Sequence, residues 1–279
     1  MSDDLNDDQY EVVIVRYGTR ESTRSDVFLN YQVYAAQDAP ITLDYFIWVV
    51  RGRERTFIID TGFSEQGGRT RGRTMLIDPV DILRALDIDP LGHNDVIVTH
   101  GHYDHIGNLY ALPNSRLLIS PKEFDFWTSD MAGKEHFRHL SDAGEIDQLR
   151  TALAEGRLRF VEDGHQPAPG ITVMEIGGHT PGQLAVTVQT PNGPVLLASD
   201  AVHFYEELDR DMPFIAVCDL PQMYDGYARI RHLLASRPHH LVTGHDASTL
   251  QRFPRLPGPL QEHAAVIGRT HPNTSEGQS

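Results

Sequence analysis

The sequence predicts an α/β protein in which two mixed β-sheets stack face to face between outer helices, an αββα sandwich. Three observations carry this. Strand signals come first, within residues 10–60, the middle of the chain mixes strand and helix signals, and from about 158 the two-residue rhythm returns before a final strand–helix unit. One structural domain is expected over 10–267, between an acidic disordered N-terminus (1–9) and a polar disordered tail (268–279).

The elements follow in order. Tyr10–Tyr17 is β-branched and alternating, a strand. Residues 18–26 are polar and read as a break, and the large side chains of Val27–Tyr31 read as a strand edge or a cover for a site. Asp44–Val50 and Thr56–Asp60 are apolar runs around the charged turn Arg51–Arg55, a β-hairpin. Gly67–Arg73 is basic and Gly-rich and reads as a loop; it lacks the Gly-Lys-Ser/Thr ending of a phosphate-binding loop. Pro79–Leu86 has Pro at a first helical position and apolar residues at helical spacing. Asp95–Thr99 is a short buried strand and Ile106–Leu112 reads as helical. A strand at Arg116–Ser120 leads to a helix from Pro121, and Gly144–Ala154 forms another helix. Leu158–Val161, Ile171–Ile176, Gln183–Thr190 and Pro194–Ser199 are short strands, Pro221–Ala235 a helix, and His240–Thr243 a last strand.

Composition narrows the function classes. With 39 acidic against 24 basic residues the net charge is −15, which argues against binding nucleic acid or an anionic membrane, since phosphate contacts need clustered Lys and Arg. Cys218 is the only cysteine, so no intrachain disulfide forms. The acidic start lacks the basic and apolar regions of a signal peptide, and no run reaches the roughly 18 apolar residues of a membrane span. A soluble cytoplasmic protein is the expectation.

The chemistry concentrates at His100-Gly-His102-Tyr-Asp104-His105, directly after an apolar strand. Imidazole and carboxylate together suit Zn, Fe, Mn or Co, and catalytic sites of this kind keep a position open for water. Further titratable groups end other predicted strands beside Gly or small residues that let the backbone turn tightly: Asp60, His179, Asp200 and His245. The remaining histidines lack this context.

Taken in order, the His-X-His-X-Asp-His run, Gly-His179, Asp200, Gly-His245 and the upstream Asp60-Thr-Gly resemble the metallo-β-lactamase-fold hydrolases over roughly residues 10–250. The resemblance implies one metal on His100, His102 and His179, a second on Asp104, His105 and His245, with Asp200 between them and Asp60 orienting a ligand histidine. Asp200 with His245 is similar to the dinuclear hydrolase branch, not to the β-lactamases themselves. Asp104-His-Ile-Gly-Asn108 and Ser199-Asp-Ala201 look most like the N-acyl homoserine lactonases that quench quorum signals. The implied cofactors are two divalent cations, zinc first, with Fe, Mn or Co also compatible; the implied assembly is a homodimer.

The implied reaction is attack of a hydroxide shared by the two cations on a lactone carbonyl, with Asp104 or Asp200 returning a proton to the ring oxygen. One position departs from the family. Lactonases carry a Tyr three residues beyond the bridging Asp; here His203 stands there, followed by Phe204 and Tyr205. Either Tyr205 or His203 polarises the carbonyl. Phe28, Leu29, Phe63, Met75 and Phe204 are the candidate apolar wall for an acyl chain. An alternative keeps the metals and changes the substrate to another ester or to a thioester, as in glyoxalase II. That version implies a basic helical extension, and few basic residues follow His245. A flavodiiron oxidoreductase implies an added flavin domain for which the chain leaves no room, and a non-catalytic scaffold implies lost ligands, of which none is missing.

Overall fold

A computed structural model describes residues 6–236 and 239–269, so the disorder expected for 1–5 and 270–279 falls outside the described residues. Strands β1 (Glu11–Thr23), β2 (Pro40–Arg51), β3 (Thr56–Ile59), β4 (Thr74–Met75), β5 (Asp95–Ile97), β6 (Arg116–Ile119) and β7 (Leu158–Phe160) lead to β8 (Ile171–Glu175), β9 (Leu184–Val188), β10 (Val195–Ser199), β11 (His240–Thr243) and β12 (Ala264–Ile267). One sheet runs β12-β1-β2-β3-β5-β6-β7 with β4 on β1; the other runs β11-β10-β9-β8. The first is antiparallel from β12 to β3 and parallel from β3 to β7. In the second only β10 and β11 run parallel.

Side-chain alternation explains the sandwich. Val12 and Ile14 of β1, with Phe46, Trp48 and Val50 of β2, face one way and pack against Val173, Val186, Val188 and Leu197 of the other sheet. Their neighbours Val13, Val15, Tyr45, Ile47 and Val49 face the other way, into a cluster with Ile82, Leu83, Phe124, Trp127, Ile146 and Leu149 from the covering helices. On the far side, Met174, Ala185, Leu196 and Ala198 meet Met223, Tyr227 and Ile230 of the helix Leu220–Ser236. Sheets buried on both faces need apolar residues at both alternations, hence the near-continuous runs at 46–50 and 195–198. The αββα arrangement is therefore the observed one.

Several expectations shift. The first strand extends to Thr23, because polar residues 18–23 pair with 45–40 of β2 past a bulge at Arg16/Gly18. Val27–Tyr31 is no strand: a helical turn Arg24–Val27 and a 3₁₀ turn Tyr31–Tyr34 flank Phe28, which bridges to Phe214. Gly67–Arg73 is no loop throughout. Glu65–Thr70 is helical, capped by Ser64 Oγ on the Gly67 N–H, and a Cβ at Gly68 would lie 2.6 Å from the Phe63 ring. The expected helix 106–112 splits into turns Tyr103–Ile106 and Leu109–Ala111. Glu135–Arg138 is also a helical turn. No helix among the described residues is long and apolar enough to cross a membrane.

The topology gathers one edge. β3 and β5 are parallel, as are β10 and β11, so the carboxyl ends of all four open on the same side. Asp60, Thr99, Asp200 and Gly244 follow those ends within two residues. The two sheets are tied there by the Leu184 N–H to Thr99 carbonyl bond (2.8 Å) and by the Thr99 and Ser199 hydroxyls, 2.9 Å apart.

Two predictions follow from packing. Phe46→Ala, emptying an inter-sheet position, should cost about 3–5 kcal/mol in urea unfolding, the usual range for a buried Phe. Glu145, in the first turn of the helix Ala143–Ala154, is buried, and that burial, with Asp142 nearby, pushes its carboxyl up to about 8 against the pull of Arg71. A raised carboxyl means the folded chain binds more protons than the unfolded one, so this contribution is full below pH 4.5 and is lost as pH rises toward about 8. Glu145→Gln should flatten that fall when unfolding free energy is measured across the window.

Candidate metal centre

Seven ligand-type side chains converge at this edge. His100, His102, His179 and Asp200 form one group and Asp104, His105 and His245 another; within each group one ligand atom per residue lies within 4.8 Å of the others, and all are buried. His179 Nε2 is 3.0 Å from His102 Nδ1 and 3.3 Å from His100 Nε2, and His100 Nε2 is 3.0 Å from His102 Nδ1. Asp200 lies between the groups. Its Oδ2 is 3.5 Å from His179 Nε2, 3.7 Å from His100 Nε2 and 3.2 Å from His245 Nε2, while Oδ1 is 3.5 Å from His105 Nε2. Asp104 completes the second group, 3.9 Å from His105 Nε2 and 3.8 Å from His245 Nε2.

Outward hydrogen bonds set the tautomers. His105 Nδ1 donates to Asp60 Oδ2 (2.7 Å), His179 Nδ1 to the Ala216 carbonyl (2.8 Å) and His245 Nδ1 to the Asp44 carbonyl (2.9 Å). The Thr99 hydroxyl donates its proton to Asp60 Oδ2 (2.7 Å), so it accepts from His100 Nδ1 (3.1 Å). In those four rings Nε2 is therefore the inward atom, the one a metal would take. His102 is reversed: Nδ1 faces inward and its ring stands edge-on to Trp127, 5.3 Å between centroids.

The pocket's own electrostatics point to cations. Burial pushes His100, His102 and His179 down, the last to about 3, so all three stay neutral and free to ligate. Burial also pushes His105 down, but Asp200, Asp60 and Asp104 outweigh it and raise this ring well above the usual value. Burial pushes Asp200 up, yet His245, His105 and His203 hold it well below the carboxylate range. His105 Nε2 and Asp200 Oδ1 are buried without a hydrogen-bond partner. Buried polar atoms left without a hydrogen bond are costly, and two divalent cations would satisfy both of these. The donor set fits the implied metals.

The backbone is strained where these groups are delivered. Asp60 has φ +62° and Ser199, just before Asp200, φ +47°. Non-glycine residues hold left-handed angles only when surrounding contacts enforce them. For Asp60 those contacts are the Thr99 N–H (2.8 Å), the Thr99 hydroxyl and His105.

The structure brings His203, too, to the centre: its Nε2 is 3.3 Å from Asp200 Oδ2 and its ring stacks on Phe214 at 3.9 Å. Burial pushes this ring down, but Glu207 and Asp200 raise it to about 9. Glu207 Oε1 accepts the backbone N–H groups of His203 and Phe204 (2.9 and 2.8 Å) and lies 3.2 Å from His203 Nδ1, and Tyr227 donates to Oε2. The Tyr205 hydroxyl is not brought in. It donates to the Leu241 carbonyl (3.1 Å), with Arg252 3.5 Å above its ring.

Nor do the expected wall residues face open space. Phe28, Phe63 and Phe204 are at most 3% exposed and belong to the core under the covering helices; Phe63 stands edge-on to Tyr17 and Tyr45. Met75 packs half-buried against that core, and the Leu29 N–H binds the Pro213 carbonyl. Sequence reasoning passed over Thr99, Glu207 and Phe214. Thr99, beside His100, and Glu207, one helical turn after His203, stood at readable spacings; Phe214 carried no such signal.

A sandwich of this topology, with histidines and carboxylates gathered at the strand ends, defines a metal-dependent hydrolase. The family model for the metallo-beta-lactamase superfamily matches residues 42–245, and the chain belongs to that superfamily. An N-acyl homoserine lactonase of a Bacillus species is 23% identical over 221 residues, 73% of this chain and 82% of its own length. The N-acyl homoserine lactonase AttM of Azorhizobium caulinodans is 26% identical over 180 residues, 63% of this chain and 66% of its own. The crystal structure of a quorum-quenching N-acyl homoserine lactone lactonase superposes with a TM-score of 0.74 at 20% identity, covering 89% of this chain and 98% of the other. AidC, a dizinc quorum-quenching lactonase, superposes at 0.68 with 19% identity, over 96% and 97% of the two chains.

Stripping metal with a chelator should lower the thermal midpoint, and restoring zinc should recover it, because ligands bound only by the folded state stabilise by mass action. Asp60→Asn, which gives up an acceptor shared by His105 and Thr99, should weaken metal binding about 10–100-fold in a chromophoric-chelator competition.

Proposed function

We propose that this enzyme opens the ring of an N-acyl homoserine lactone or a similar small lactone at a dinuclear centre. The observation that carries the reading is Asp200, whose carboxylate lies between the two ligand groups, Oδ2 within 3.7 Å of His100, His179 and His245 and Oδ1 3.5 Å from His105. The lactonase relatives support the substrate class. His100, His102 and His179 would hold one cation and Asp104, His105 and His245 the other, with Asp200 between. When bound, two divalent cations would supply a hydrolytic nucleophile at neutral pH and Lewis-acid polarisation of an ester carbonyl.

The chain's own groups do the rest. His203 Nε2, buried beside Asp200 and without a hydrogen-bond partner, is the donor for the carbonyl oxygen as negative charge develops there. The Glu207 carboxylate and the Phe214 ring hold its imidazole in place. Tyr205, committed to Leu241, takes no part. Asp104, the most accessible carboxylate of the set at 7% exposed, carries the proton to the departing ring oxygen; Asp200, at 3%, is walled in by histidines. The family resemblance extends the reading to zinc as the native metal, a homodimer and a cytoplasmic location; elemental analysis and light scattering test the first two.

Purified protein with decanoyl homoserine lactone should release one proton per ring opened, followed by alkaline titration. No release with any lactone, alongside turnover of thioesters, would sink the reading in favour of a glyoxalase II-like activity. His203→Ala should cost about 10²-fold in kcat/KM, the usual loss for one oxyanion donor, whereas Tyr205→Phe should change it by less than about twofold. His105→Ala should abolish turnover with the fold retained.

A further inference from the structure

The helix Pro121–Trp127 packs beneath the centre, and its Glu123 is wholly buried. No metal ligand lies on this helix. Glu123 Oε1 accepts the Gly101 N–H (2.9 Å) and the Trp127 indole N–H (2.5 Å), while Oε2 accepts the Gly182 N–H (2.9 Å). Gly101 stands between His100 and His102, and Gly182 closes the turn that begins at His179. One carboxylate thus holds the two loops that carry the three histidines of the first group, although those loops are separated by 77 residues of chain between His102 and His179.

Both glycines are required by this docking. A Cβ at Gly101 would lie 2.4 Å from Trp127 Cδ1, and a Cβ at Gly182 would lie 2.4 Å from the Glu123 backbone nitrogen. Both loop backbones therefore lie directly against the helix, Gly101 on the Trp127 ring and Gly182 on the Glu123 backbone. Trp127 adds a second restraint, since its ring also buttresses His102. The second group of ligands has no comparable contact with Glu123; its outward bonds run to Asp60 and Asp44.

We propose that Glu123 is a positioning residue for the first metal site, setting the spacing of His100 and His102 against His179 by clamping their two loops. Every group that meets it donates a hydrogen bond to the carboxylate, so the clamp depends on two acceptor oxygens spanning a fixed gap. Its role is geometric. Gln keeps the length but turns one oxygen into a donor that opposes an N–H; Asp keeps the charge but is one methylene too short to reach both loops.

The test uses the full chain in two backgrounds. His105→Ala removes a ligand of the second group and leaves the first site to be read alone; His102→Ala does the converse. Zinc affinity is measured by chelator competition, with the metal-free thermal midpoint recorded for each variant. Glu123→Gln and Glu123→Asp should each weaken zinc binding about 10–100-fold in the His105→Ala background and leave it unchanged in the His102→Ala background. Equal weakening of both sites would overturn the clamp in favour of general destabilisation, as would a lowered metal-free midpoint with affinity intact. Full rescue by Glu123→Asp would overturn it in favour of bulk charge. Because zinc affinity is read without substrate, the inference stands or falls apart from the lactonase reading.

Discussion

The centre depends on one buried carboxylate that touches no metal position. Asp60 receives His105 directly and, through the Thr99 hydroxyl, receives His100, so one anion orients a histidine of each ligand group. Burial pushes this carboxyl up, and the donors around it pull it back. The left-handed backbone at Asp60 is the strain that delivers the group, and Thr99 is the strand-end residue that receives it. Losing Asp60 would free two rings and leave several buried donors without acceptors.

Around that interaction the fold behaves as a frame with several independent supports. The inter-sheet core holds the strand ends in one plane. The Ala216 and Asp44 carbonyls set His179 and His245, Glu123 ties the loops of the first group, and Glu207 with Phe214 sets His203. The polar supports are buried at low cost because they are hydrogen-bonded within the protein. Among the buried atoms left without a partner, His105 Nε2, Asp200 Oδ1 and His203 Nε2 sit where ligand atoms converge. Seven ligand-type side chains converge around those atoms, an arrangement that could hold cations.

Much of this was legible in the chain. The His100–His105 run and the strand-end positions of His179, Asp200 and His245 are local signals: ligand-type residues beside glycines after apolar strands. The sandwich was legible because sheets buried on both faces need near-continuous apolar runs. What periodicity misjudged was decided by pairing. Residues 18–23 are polar yet extended because β2 runs alongside them, and Glu65–Thr70 is helical despite two glycines because Gly68 packs on Phe63.

By itself, then, the sequence determined the layer order, the candidate ligand residues and the metal-dependent class, since each rests on residue type and short-range spacing. Only the tertiary structure decided which neighbours those ligands have. It turned Tyr205 away to Leu241 and stacked His203 on Phe214, committed Phe28, Phe63 and Phe204 to the core, and placed Glu123 between loops far apart in the chain. The physical reason is that orientation and burial depend on packing partners that linear spacing does not encode.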